Sequence, residues 1–417
     1  MKKIKHLVLI SLIFLSNKAL ADDGFNIDNL INVSGDLRSY YFERGFSNAP
    51  SEHTYSFGGA INLETAPIFK YFQIETTFYT AQPLGLNSSN PLRYDATLPG
   101  KAVNALGQAF AQFKNDNLLI RAGNQLIDTP WLGPSDSRMI PATYQGLFST
   151  YAINDYWTLT ALRTIGFKSR TNNSFASVNL YNPEIIGGTP IPALGKTTDN
   201  GALAFASTVK IKDLNSEIWY YQFYDFARML YNNNTYTLKT STIFNPVFGL
   251  QLLRENSTGN NLIQQTTGKG PDASAFGALA GVENNYIRAT VAYNKIFAED
   301  NAFHNGDIVS PYTTGYATDP LYTTQMLAGL IEKAPGDAVK FALTFFAFNH
   351  QLNITPSFAK YYTNPQMPDS SEGNLDIQYK FVGVLKGLSI RDRTSILNSN
   401  DPRGRQVNTR LMLQYSF

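Results

Sequence analysis

Cysteine is absent from this 417-residue chain. That excludes disulfides, thiol nucleophiles and cysteine metal centres, and it is compatible with an oxidising compartment. Charge is scarce too: Asp, Glu, Lys and Arg make up 16%, against about 25% in an ordinary soluble domain. Beyond residue 21 the only histidines are His53, His304 and His350. They form no metal-type cluster and show no Ser-His-acid spacing. No Gly-rich phosphate loop occurs, and no cofactor is expected. Nor does any apolar run reach the ~18 residues of a membrane helix. These gaps argue against an enzyme and against a helical membrane protein. An outer-membrane barrel enzyme is kept as the lesser alternative.

Aromatics are what the chain has in quantity: 24 Tyr and 28 Phe among 13% aromatic residues, amid much Asn, Gln, Ser and Thr. A barrel with an apolar outside, an aromatic belt and a polar inside has this composition. A large secreted β-helix or sandwich competes for it. At the start, Lys2, Lys3 and Lys5 precede an apolar run from Leu7 to Leu15, followed by Ala19-Leu20-Ala21. This is the layout of a cleaved secretory signal, which predicts residues 1–21 as signal and 22–417 as one mature domain. Removing 1–21 takes away four lysines and no acid, so the formal charge moves from +2 to −2. The basic balance therefore gives no support for a nucleic-acid partner.

The last residues alternate. Val407, Leu411, Leu413, Tyr415 and Phe417 share one parity, and Asn408, Arg410, Gln414 and Ser416 the other, with Met412 the apolar exception. Successive side chains of a strand face opposite ways, so this is a strand with one apolar face. Its length suits a tilted strand crossing a bilayer, roughly 9–11 residues. Similar segments recur along the chain, separated alternately by short turns such as Asn115-Asp116-Asn117 and by long Pro/Gly/Asn-rich loops. They count to 18, with a weak strand at 228–237, residues 321–331 left as loop, and Asn374–Val384 as the sixteenth. Short periplasmic turns and long external loops are the rhythm of outer-membrane barrels, which need an even strand count. The expected fold is all-β: a transmembrane antiparallel β-barrel of about 18 strands whose long external loops fold into the pore.

Three stretches resemble the OprD family of substrate-specific outer-membrane porins. One is Gly35-Asp36-Leu37-Arg38-Ser39-Tyr40-Tyr41-Phe42-Glu43-Arg44. The second runs from Arg121-Ala122-Gly123-Asn124-Gln125 through Pro130 to Asp136-Ser137-Arg138-Met139-Ile140-Pro141-Ala142-Thr143-Tyr144. The third is Ile390-Arg391-Asp392-Arg393 before the last strand with Arg410. The resemblance implies an 18-stranded, monomeric pore in the bacterial outer membrane, with a trimer as the other possible assembly. It implies passage of small, commonly carboxylate-bearing solutes through an eyelet shaped by the third and seventh external loops. It implies contact with outer-membrane lipid and lipopolysaccharide. The terminal aromatic resembles the signal read by the barrel-insertion machinery. A general 16-stranded diffusion porin is the closest alternative.

Parity supports a basic pore wall in part. Arg38, Arg44, Arg121, Arg391, Arg393 and Arg410 all lie opposite the apolar face of their strands. Arginine facing lipid at mid-depth costs about 2–4 kcal/mol, so the lumen is the expected place for all six. Arg121 is expected further round the wall than the other five. Asp136 and Arg138 in the third loop, and Asp307, Tyr312 and Asp319 in the seventh, are the constriction candidates. Asp392 falls on the apolar parity, which predicts a bulge or an interfacial position there.

Overall fold

In the computed structural model the described residues are 30–417, apart from 99–100, 196–197, 332 and 334. The expected signal therefore lies outside them. Eighteen strands form one antiparallel sheet. They are β1 (Ile31–Phe46), β2 (Glu52–Thr65), β3 (Phe72–Gln82), β4 (Val103–Lys114), β5 (Leu118–Gln125) and β6 (Thr143–Asn154). Next come β7 (Trp157–Lys168), β8 (Ala202–Ile211), β9 (Leu214–Phe223), β10 (Ala227–Thr237), β11 (Asn245–Ser257) and β12 (Asp272–Glu283). The circuit ends with β13 (Ile287–Ile296), β14 (Gly336–Ala347), β15 (Leu352–Tyr362), β16 (Ser370–Lys380), β17 (Leu388–Asn398) and β18 (Gln406–Ser416). Each strand pairs with its sequence neighbours, and β1 pairs with β18 from Asp36↔Ser416 to Phe46↔Gln406. No sheet edge stays open, as a bilayer demands of a sheet.

Alternation decides the two faces. Leu411, Leu413 and Tyr415 of β18, and Phe248, Leu250 and Leu252 of β11, point outward. Their sequence neighbours Arg410, Gln251 and Leu253 are buried inside. Asp392 also faces out. Its strand keeps an unbroken register, opposite Ile377 and Leu411, so the expected bulge is not there. Thr394 Oγ1 donates to its carboxylate at 3.2 Å.

Short turns close one end of the barrel and long loops the other. Three of the loops fold inward: L3 (residues 126–142), L4 (169–201) and L7 (297–335). Trp131, Leu180, Val309, Leu330 and Ile331 from these loops join Tyr144, Tyr221 and Tyr231 of the wall in one apolar cluster. Burial of this kind is worth roughly 1.5–3 kcal/mol per large side chain, enough to hold irregular backbone inside the lumen. L4 and L7 touch directly. The Leu180 amide donates to Pro311 O at 2.9 Å, and a Cβ on Gly315 (φ +69°) would meet Gly187 O at 2.6 Å. One short helix, α1 (Leu262–Thr267), caps the loop after β11.

Candidate functional site: a constricted lumen at the barrel seam

Strand register sets the wall. Asp376 of β16, Arg393 of β17, Arg410 of β18 and Phe42 of β1 are direct neighbours across four strands. Two residues nearer the short-turn end run Gln378, Arg391, Met412 and Tyr40. Two further on are Ser389, Gln414 and Arg38. Arginines thus descend the seam in steps of two residues, as strand parity requires.

Arg393 and Arg410 stand directly opposite each other, a like-charge pairing that destabilises a sheet unless countered. Asp376 counters it in part. Its Oδ2 lies 2.6 Å from Arg391 Nη2 and 3.2 Å from Arg393 Nε. Arg410 has no ion-pair partner among the described residues; its guanidinium donates to Met326 O at 3.5 Å. Phe42, fully buried, lies between three guanidiniums: Arg138 at 4.8 Å, Arg410 at 5.2 Å and Arg44 at 5.5 Å from its ring centroid.

L3 supplies the opposite side. Arg38 Nη1 donates to Asp136 Oδ1 at 2.8 Å, to Arg138 O at 2.6 Å and to Met139 O at 3.3 Å. Tyr40 Oη donates to Ser137 O at 3.1 Å. From behind, Arg170 donates to Ser135 Oγ and Ser137 Oγ, and Lys168 Nζ to Pro141 O at 3.1 Å. Buried Arg138 reaches away from the lumen to Thr97 Oγ1 at 3.1 Å. Burial lowers the Arg138 guanidinium below its ordinary value and takes that of Arg170 down to about 10, so Arg170 stays cationic at neutral pH. Burial alone would raise Asp95, but Arg44 and Arg138 outweigh it and hold that carboxyl below the usual range. Between L3 and the wall remains a cavity of about 20 Å³ lined by Tyr40, Asp136, Ser137, Arg391, Arg393, Arg410 and Met412. That is room for about one water.

Of the expected wall, Arg38, Arg391, Arg393 and Arg410 come together here. Arg44 does not line the cavity. It pairs with Asp95 at 2.7 Å and Glu52 at 3.9 Å, tying β1 to the loop after β3. Arg121 lies further round, donating to Gln112 Oε1 at 2.7 Å. Asp136 lines the cavity, whereas Arg138 is packed behind it. Asp307, Tyr312 and Asp319 are also absent from the lining, and all three are buried within packed loops. Tyr312 Oη donates to Asp199 Oδ2 at 2.6 Å, and Asp319 Oδ1 accepts from Thr324 Oγ1 at 2.6 Å. L7 is instead tethered by Glu372 of β16, whose carboxylate accepts from the amides of Met326, Leu327 and Ala328.

A sequence profile described as outer membrane porin, OprD family, matches residues 90–320. No curated protein gives a significant sequence match. Among solved structures the chain is similar to Pseudomonas aeruginosa OccK9 (OpdG), with TM-score 0.77 and 18% identity, over 95% of this chain and 100% of that one. It is similar to OccK8 (OprE) of the same organism, with TM-score 0.76 and 17% identity, over 95% and 99%. Acinetobacter baumannii OccAB4 matches with TM-score 0.75 and 15% identity, over 94% and 100%.

Proposed function

Because the chain belongs to the OprD family of outer-membrane porins, and is a substrate-specific channel of the bacterial outer membrane rather than an enzyme, we propose that the solutes it selects carry a carboxylate. One observation carries this reading: three arginines and a single acid line the same small cavity. Arg38 stands one step below them on the seam.

A water-filled pore with fixed positive charge raises the local concentration of anions. Each exposed guanidinium–carboxylate contact is worth about 1 kcal/mol or less. Several weak contacts in series hand a solute along, where one tight contact would trap it. Arg410, which has no contact-distance ion pair among the described residues, and the shared Asp376 leave the wall with more positive than negative charge, so an incoming anion has a place to go. The single chain encloses its own pore, so solute passage requires no second copy. Residues 1–21 we assign to export, with cleavage before Asp22.

Arg391→Ala combined with Arg393→Ala tests the wall. In planar bilayers the double variant should pass carboxylates several-fold more slowly, each contact counting about 1 kcal/mol. Its reversal potential in a salt gradient should move toward cation preference. Folding should be preserved, because lumen positions tolerate substitution. An unaltered carboxylate flux and reversal potential, at normal barrel yield, would remove the carboxylate reading.

A further inference from the structure

One carboxylate already sits on the arginine wall, and it belongs to a loop. Asp136 meets Arg38 fork to fork, with Oδ1 at 2.8 Å from Nη1 and Oδ2 at 3.2 Å from Nη2. That bidentate geometry is how arginine binds any free carboxylate. The partners are unequally held. The Arg38 side chain is 7% exposed and also donates to two L3 carbonyls, whereas the Asp136 side chain is 42% exposed. If the pair parts, the aspartate is therefore the half that moves, and Arg38 keeps two acceptors.

Asp136 also lines the cavity it shares with Arg391, Arg393 and Arg410. With room for about one water, that cavity cannot hold a solute carboxylate while the Asp136 carboxylate is in place. Arg410 Nε is buried there without a hydrogen-bond partner, whereas Arg38 Nε faces Asp36 Oδ2 at 3.8 Å. A competing anion thus finds an unused donor on Arg410 beside the pair it must open.

We propose that Asp136 is a tethered counter-carboxylate. It occupies the wall in the resting pore, and a solute carboxylate passes by exchange, taking its place while the Asp136 side chain turns into the open lumen. This rests on the carboxylate reading above. The exchange conserves charge and leaves Arg38 paired throughout. It also discriminates: a neutral solute brings no charge to the guanidiniums, so it gains no site on this wall whether or not Asp136 is present.

Asp136→Asn removes the tethered charge, and Asp136→Ser covers the case in which the amide keeps one bond to Arg38. The full-length channel is reconstituted and probed with lactate and with lactamide, its neutral analogue. Lactate should saturate the current at a concentration about two- to fivefold lower than in the parent, the worth of one part-exposed ion pair. The reversal potential should move toward anions, and lactamide influx should stay as it was. Unchanged lactate saturation in both variants overturns the exchange. So does a rise in lactamide influx parallel to lactate, which would make Asp136 a steric plug. The arginine double variant separates the two readings. If it leaves lactate flux untouched, the carboxylate reading fails and the exchange with it. If it slows lactate while both Asp136 variants saturate like the parent, only the exchange fails.

Discussion

Phe42 shows how one side chain can organise a polar wall. Cations are drawn to the faces of an aromatic ring, by about 0.5–1 kcal/mol when exposed and about 2 when desolvated. Three guanidiniums lie around this one buried ring. They come from β1, L3 and β18, so the ring couples the wall to the loop that narrows it. Phe42→Leu keeps an apolar side chain there but removes the π face. It should destabilise the barrel by about 1–3 kcal/mol in guanidinium unfolding, and amides 138–140 should exchange faster with solvent. Stability and exchange equal to the parent would mean that the ring serves only as filler. In the sequence, Phe42 shares the parity of Arg38, Tyr40 and Arg44, an apolar residue on a polar face. Met412 is the same kind of exception on β18, and it lines the cavity. Apolar residues at lumen parity were the legible signal for the inner packing. Asp376 and Glu372 carried no such mark. Their roles depend on which strands become neighbours and on where L7 folds.

The strands were more legible than the loops, because a strand's alternation is local and a loop's packing is not. The weak strand expected at 228–237 forms as β10, Ala227–Thr237. β16 is shifted: it runs Ser370–Lys380 instead of Asn374–Val384. Phe381, Val382 and Val384 prolong the apolar pattern, yet Gly383 (φ +64°) opens a short 3-10 turn there. At the other end, polar Ser370–Gly373 continues the strand because Glu372 points inward to L7. L7 itself holds a titrating element. Burial pushes Asp319 up to about 6, from an ordinary 3.8, although Thr324, the Leu321 amide and Lys340 each favour its charged form. Asp319 Oδ2 has no hydrogen-bond partner. For a carboxyl raised on folding, the native state binds the extra proton. The packed form of L7 is therefore favoured below about pH 4 and loses that support as pH rises to about 6. The loss is on the order of 3 kcal/mol. Hydrogen exchange of residues 319–324 should be slower at pH 5 than at pH 7 after correction for intrinsic rates, and Asp319→Asn should flatten the difference. A pH-independent loop in the parent would count against this assignment.

At the scale of the whole molecule, closure joins the two ends of the circuit. β1 and β18 pair over eleven residues, and the seam they form carries the arginine wall. Closure and constriction therefore depend on the same register: a one-residue slip of β18 against β1 would turn Arg410 toward lipid, at about 2–4 kcal/mol. Phe417 secures that register from the short-turn end. Its amide donates to Gly35 O and its carbonyl accepts from the Gly35 amide, both at 3.0 Å, and its ring stacks near Tyr415 at 6.3 Å. Two backbone hydrogen bonds are worth about 1 kcal/mol each, a modest share of a barrel's stability once formed. The half-exposed Phe417 ring is, separately, the feature we assign to recognition by the insertion machinery. Deleting Phe417 should thus reduce assembly far more than it reduces the stability of assembled barrels. The check is one pulse-chase on parent and truncated chains, scored by the compact, heat-modifiable form on gels and by N-terminal sequencing. Both chains should begin at Asp22, because export precedes barrel insertion, and the truncated one should accumulate in the unfolded form. Equal yields of compact barrel would refute the role given to Phe417, and a mature chain still starting at Met1 would refute the assignment of residues 1–21 to export.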